Sequence, residues 1–148
     1  MSHVQVHASC VAFGSKAVLI QGKSGSGKSD LVLRLLDSPG YGIGQRLHQA
    51  LLVADDQVIL ERIADQIVAR APLSLAGKLE IRGQGIVELP WVESAMLCLV
   101  VDLMPVRDIP RLPEPSELTV ELLGMAFPRL VLDPAQVSAT SRIRSFLT

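Results

Sequence analysis

Residues 22–29 read Gly-Lys-Ser-Gly-Ser-Gly-Lys-Ser and satisfy G-x-x-x-x-G-K-[ST], the phosphate-binding P-loop pattern. Small residues let successive backbone N–H groups turn inward around an anion. A helix starting behind them adds unpaired N–H groups and the positive end of its dipole. In that arrangement Gly22, Lys23, Ser24, Gly25, Ser26, Gly27, Lys28 and Ser29 would cradle the phosphates of a nucleoside triphosphate. Lys28 would reach the β- and γ-phosphates, and the Ser29 hydroxyl would ligate Mg²⁺. The competing reading is a glycine-rich turn with an exposed lysine and no ligand.

Four other features carry residue types suited to phosphoryl chemistry. Leu52-Val53-Ala54-Asp55-Asp56 is an apolar run ending in two carboxylates. One carboxylate can hold Mg²⁺ and one can accept a hydroxyl proton, but an Asp-rich turn is the alternative. Adjacent side chains at a strand end point in opposite directions, so the two need not share a role. In Glu80-Ile81-Arg82-Gly83-Gln84-Gly85, Glu80 can supply a second oxygen ligand and Arg82 can neutralise transferring charge. A surface turn with an ion pair explains the same residues. His7, close in sequence to the loop, is either structural or catalytic, and Arg111 in the proline-rich connection is either a solvated surface charge or part of the chemistry. His3 and His48 have no companions at metal-ligand spacing, and no G-x-S-x-G nucleophile elbow is present.

The elements that must position these groups follow from periodicity. Val4, Val6, Ala8 and Cys10 alternate with Gln5, His7, Ser9 and Val11, which predicts one strand. A turn at Gly14-Ser15 joins it to a buried strand Ala17–Gln21. Leu31, Val32, Leu35 and Leu36 form the apolar side of the helix after the loop. Residues 37–44 predict a mobile surface loop rich in glycine. Short strands are expected over 50–54, 58–62, 66–70, 118–123 and 130–132, with a turn or short helix at 71–77. The run 95–102 has the continuous apolar character of a central strand. Pro105, Pro110, Pro113 and Pro115 mark an extended connection. Asp133-Pro134 has the form of a helix cap followed by a first-turn proline, opening a final helix toward the terminus. Strands outnumber helices, so the expected class is an α/β nucleotide-binding domain with a mixed, strand-rich core.

Composition narrows the function. The 148 residues, 49% of them hydrophobic, suit one domain with a substantial core. No run is long enough to span a bilayer, and no export signal is visible, which predicts a cytoplasmic protein away from membranes. Cys10 and Cys98 lie in apolar runs and read as buried free thiols. A net charge of −1 and 3% aromatic residues argue against a nucleic-acid partner.

Taken in order, His7, Gly22–Ser29, Val53-Ala54-Asp55-Asp56 and Leu79-Glu80-Ile81-Arg82-Gly83-Gln84-Gly85-Ile86 resemble the catalytic domain of HPr kinase/phosphorylase. That bacterial family phosphorylates a serine of HPr, the small phosphocarrier of the sugar phosphotransferase system. Its core is similar to that of PEP carboxykinase. The resemblance covers residues 4 to 89, with a weaker echo near Arg111. It implies an ATP- and Mg²⁺-dependent serine kinase acting on HPr or a nitrogen-related HPr paralogue. Lys28 and the loop would hold the nucleotide, Ser29 and Glu80 the metal. Asp56 would accept the seryl proton, His7 would be the active-site histidine, and Arg111 or Arg107 the later arginine. Such an acid/base calls for burial of Asp56 or for negative charge beside it, which Asp55 would supply.

Residues 37–49 are longer than the family's usual connection. Phe127-Pro128-Arg129-Leu130-Val131 departs from its P-x-R-P-G-R-N segment, which is linked to the reverse, phosphorylase reaction. The chain resembles the short form found in some proteobacteria, a single domain over 1–148 without the N-terminal regulatory domain. Its C-terminal helix is shortened relative to that of the family's homo-oligomers. A P-loop kinase of a small metabolite and a nucleotide-sensing module without turnover are the other readings. The second needs fewer of Lys28, Ser29, Asp56 and Glu80 than are present.

Overall fold

The computed structural model describes residues 2–147. The chain runs β1 (Ser2–His7), β2 (Ser9–Phe13), β3 (Lys16–Gln21), α1 (Lys28–Asp37), β4 (Ala50–Ala54), β5 (Gln57–Ile63) and β6 (Gln66–Arg70). It continues through β7 (Lys78–Ile81), β8 (Gly85–Glu88), β9 (Ala95–Leu103), β10 (Thr119–Leu122), β11 (Met125–Leu132) and α2 (Ala139–Ser145). The result is a mixed, strand-rich α/β fold.

The large sheet has the order β1-β5-β6-β9-β3-β2-β4. β9 is at its centre, and β3 lies beside it, antiparallel to β2 and parallel to β9. The free edge of β9 is shared. Its first residues pair with β6 and its last four run parallel to β11, which forms a hairpin with β10. A strand covered on both faces must be apolar at every position, which is why 17–20 and 99–101 show no alternation. On β3, Val18 and Ile20 face a cluster with Leu31, Val32 and Leu35 of α1 and with Ala139 and Ile143 of α2. Ala17 and Leu19 face the opposite cluster with Val58, Leu60, Ile67 and Phe127. Leu31 and Leu35 are fully buried, and each contributes about 1.5–3 kcal/mol by leaving water.

Two bulges shift the phase of this packing. Ala17 pairs with Leu97 and Val18 with Leu99, so Cys98 is the extra residue on β9. Cys10 pairs with Ala54 and Val11 with Leu52, so Val53 is the extra residue on β4. An inserted residue bends its strand and re-aims the side chains that follow. Beyond Val53 those side chains are Asp55 and Asp56.

Several expectations are corrected. Residues 4–11 form two strands, because Ala8 is where the chain leaves its pairing with β5 and joins β3 and β4. Residues 78–88 are an antiparallel hairpin, with the glycine-rich stretch as its turn. The loop 37–44 is tied down: Gly40 and His48 form a β-bridge, and the buried Arg144 donates to the carbonyls of Leu35 and Ser38 at the end of α1. Asp133 does not cap the last helix. Its carboxylate accepts from the Ala135 and Val106 N–H groups, and α2 begins after Ser138. Val137 is left almost fully exposed ahead of the helix. No helix among the described residues is long and apolar enough to cross a membrane.

Candidate active site

The glycine loop joins β3 to α1, the strand–loop–helix setting that its sequence requires. Gly27 precedes the helix at φ 101°, a left-handed conformation that L side chains rarely adopt, and Pro134 packs within 3.1 Å of where a Cβ would sit. A Cβ on Gly22 would come within 2.4 Å of the Ser26 hydroxyl. That hydroxyl is buried and has no hydrogen-bond partner among the described residues. Lys28 is 7% exposed, and its ammonium donates to the Gly22 carbonyl at 2.7 Å and the Lys23 carbonyl at 3.2 Å. The loop is therefore wrapped around a positive charge held by its own backbone.

The two aspartates at the end of β4 have opposite surroundings. Asp55 is 6% exposed. Its Oδ1 accepts from the Ser9 hydroxyl at 2.7 Å and the Ser29 hydroxyl at 3.1 Å, and its Oδ2 is 3.2 Å from Ser29. Among the described residues it takes part in no ion pair. A buried carboxylate without a counter-charge is costly, and Ser9 and Ser29 offer it hydrogen bonds but no positive charge.

Asp56 turns outward. The Gln57 N–H donates to the Asp55 carbonyl at 2.8 Å, and Asp56 between them has φ 71°. This is the rarer, strained form of γ-turn. The Asp56 carboxylate is 66% exposed and lies 3.3 Å from His7 Nδ1. Its carbonyl accepts from the Ala8 N–H. Of the two routes to a perturbed Asp56, burial is not met, since it is Asp55 that is buried; the γ-turn centred on Asp56 turns its side chain outward and leaves Asp55 next to it in sequence.

Glu80 and Arg82 come from the β7–β8 hairpin. Leu79, fully buried in the cluster that includes α1, fastens the hairpin to the body, while Glu80 and Arg82 are exposed. A cleft of about 730 Å³ is lined by His7, Lys28, Ser29, Asp56 and Glu80 together with Ser9, Asp55 and Arg82. Ser24, Gly25 and Gly27 also line it, whereas Gly22, Lys23 and Ser26 do not. Arg111 is exposed in the proline-rich connection and Arg107 lies in the turn Val106–Asp108; neither lines the cleft.

Sequence reasoning missed Ser9 and left Asp55 as background charge. The strand pattern held a signal for Ser9, since it shares a face with His7. Nothing in the spacing distinguished Asp55 from Asp56. The donor set suits Mg²⁺. No three His, Cys, Asp or Glu side chains among the described residues are grouped as a metal cage. Mg²⁺ is ordinarily held by one or two carboxylates plus substrate phosphates.

Comparisons with known proteins bear on the family and the fold. The solved "Structure of the Hpr(Ser) kinase/phosphatase from Coxiella burnetii" superposes with a TM-score of 0.77 at 25% identity, covering 97% of this chain and 88% of that one. The HPr kinase/phosphorylase of Aromatoleum aromaticum is 37% identical over 131 residues, covering 80% of this chain and 38% of the relative. That of Clostridium acetobutylicum is 36% identical over 86 residues, covering 58% of this chain and 25% of the relative. The chain thus spans well under half the length of these curated relatives. The profile of the HPr Serine kinase C-terminal domain matches residues 1–96, and the chain belongs to that family.

Proposed function

We propose that this domain is an ATP-dependent kinase that phosphorylates a serine of an HPr-type phosphocarrier protein. The observation that carries the proposal is the separation of two carboxylates on one cleft. Asp55 is buried against Ser29 of the glycine loop, and Asp56 is exposed beside His7. Phosphoryl transfer needs both positions, one carboxylate on the metal side and one on the acceptor side.

In this reading the glycine loop is a nucleotide-binding P-loop like that of PEP carboxykinase. Lys28 sits against the β- and γ-phosphates. Ser29, with Asp55 behind it and Glu80 across the cleft, would hold Mg²⁺. The ion would supply positive charge that neutralises charge developing on the phosphate oxygens. The seryl oxygen attacks the γ-phosphorus, its proton passes to an Asp56 oxygen, and the bond from phosphorus to the bridging oxygen of ADP breaks. His7 steadies the Asp56 carboxylate from its far side. The exposure of Asp56 and His7 suits an acceptor serine delivered on another protein, because a large substrate needs an open rim.

Incubation with ATP, Mg²⁺ and purified HPr-type proteins, followed by intact-mass measurement, tests the proposal. Addition of one phosphoryl group to a serine is the expected result. Unmodified HPr-type proteins in the presence of bound nucleotide would overturn it. A second incubation of the phosphorylated product with inorganic phosphate reads out the reverse reaction.

A further inference from the structure

We propose that Ser9 is a positioning residue for the metal side of the site, acting through Asp55. The proposal rests on the functional reading above and assigns a role within it. Ser9 is fully buried at the start of β2, one residue past the point where the chain leaves its pairing with β5. Its hydroxyl donates to Asp55 Oδ1 at 2.7 Å, the shortest of the three contacts that this carboxylate makes with hydroxyl groups.

The argument follows from counting protons and lone pairs. A serine hydroxyl has one proton and two lone pairs. The Ser29 proton points to Asp55, which leaves the Ser29 lone pairs for a cation. That orientation lasts only while the Asp55 carboxylate is held in one plane. Ser9 holds it, by occupying one side of Oδ1 from a rigid strand that also pairs with β3. Without the Ser9 donor the carboxylate turns more freely, and the buried charge retains Ser29 as its single hydrogen-bond partner among the described residues. Partners behind a metal ligand set its affinity in this way, and their loss typically weakens binding about 10–100-fold.

The same segment serves the other carboxylate. His7 and Ser9 flank Ala8, whose N–H donates to the Asp56 carbonyl. His7 reaches Asp56 and Ser9 reaches Asp55. Three consecutive residues thus hold both aspartates apart, and Ser9 is the member that faces the loop.

The test compares wild type with Ser9→Ala, Ser9→Cys and Ser9→Thr. Binding of a fluorescent ATP analogue is titrated against Mg²⁺ and repeated in EDTA, with thermal unfolding recorded in parallel. For Ser9→Ala the Mg²⁺ concentration at half-effect is expected to rise about 10–100-fold, while metal-free nucleotide binding stays within about twofold. Ser9→Cys, close in volume but a weak donor, is expected to behave like Ser9→Ala should the alanine variant not fold. Ser9→Thr keeps the hydroxyl and is expected to stay near wild type. An unchanged Mg²⁺ dependence in the folded Ala or Cys variant overturns the proposal, as does equal weakening with and without Mg²⁺. Wild type that binds nucleotide with no Mg²⁺ dependence overturns it together with the functional reading, whereas variants indistinguishable from a Mg²⁺-dependent wild type overturn this inference alone.

Discussion

Replacing Asp56 by glycine should stabilise the fold while abolishing phosphotransfer, and replacing it by alanine should abolish transfer while destabilising. Asp56 sits at φ 71° in the γ-turn closed by Gln57. A residue held in such a region costs on the order of 1–3 kcal/mol. Aspartate tolerates left-handed backbone better than most residues, so its cost belongs near the low end, about 1–1.5 kcal/mol. Glycine removes that strain but gives the unfolded chain extra freedom, worth about 0.4–1 kcal/mol. The lost contact with His7 joins exposed groups and changes stability little. The net gain is roughly 0.5 kcal/mol, a rise in Tm of about 1–2 °C. Alanine keeps the Cβ without the polar side chain, and should lose roughly 0.5–1 kcal/mol and about 2–3 °C. Asn keeps the local tolerance and should leave Tm within about 1 °C. Thermal unfolding by circular dichroism, alongside intact-mass assay of the acceptor, reads both effects. An alanine variant as stable as the glycine variant would refute the strain argument, and full transfer by Asp56→Asn would refute the base.

Three further outcomes are expected. The backbone donors Ala135 and Val106 hold the Asp133 carboxyl below its usual 3.8. A group depressed in the folded state adds stability above its unfolded pKa and loses it as pH falls through the folded value. Asp133→Ala should therefore be less stable than wild type at pH 7 and converge with it in acid, as followed by urea unfolding across pH. Burial raises the Cys10 thiol far above its ordinary value, and burial raises Cys98 as well. Cys98 is half-buried rather than buried as its apolar run suggested, so iodoacetamide at neutral pH should leave Cys10 unmodified and label Cys98 only slowly in the folded protein, and label both in denaturant, as counted by mass. Arg129 pairs with the half-buried Asp102 and donates to the Glu117 carbonyl. Arg129→Ala should cost about 1–3 kcal/mol by stranding that carboxylate, and adding Asp102→Ala should recover part of the loss in denaturant unfolding.

What was legible in the sequence was whatever depends on near neighbours. The glycine loop, the two-faced strands 17–21 and 95–103, and the turn at Gly14-Ser15 are set by local sterics and by burial on both sides. The break at Ala8 was hidden because alternation runs through it unchanged, and only the partner strand changes. The bulges at Val53 and Cys98 are properties of pairing and leave no mark on composition. The sorting of Asp55 from Asp56 depends on the γ-turn that follows that bulge, so spacing alone could not resolve it. Asp133-Pro134 misled because a cap and a backbone-bonded turn use the same acceptor chemistry. In 78–88 the turn was legible in the glycines, but the strands on either side of it were not, because they pair only with each other and Leu79 alone anchors them in the core.

The position of β3 also bears on how the molecule is made. One neighbour, β2, reaches it through a two-residue turn, and the other, β9, arrives as a parallel strand from Ala95–Leu103. Antiparallel hairpins close early, whereas parallel pairing between distant segments waits on the large entropy of loop closure. The glycine loop is thus expected to gain its second supporting strand, and with it a settled shape, late in folding. Nucleotide would bind too late to accelerate that search. Its kinetic effect would fall on the return journey, as a slower unfolding rate with the refolding rate unchanged.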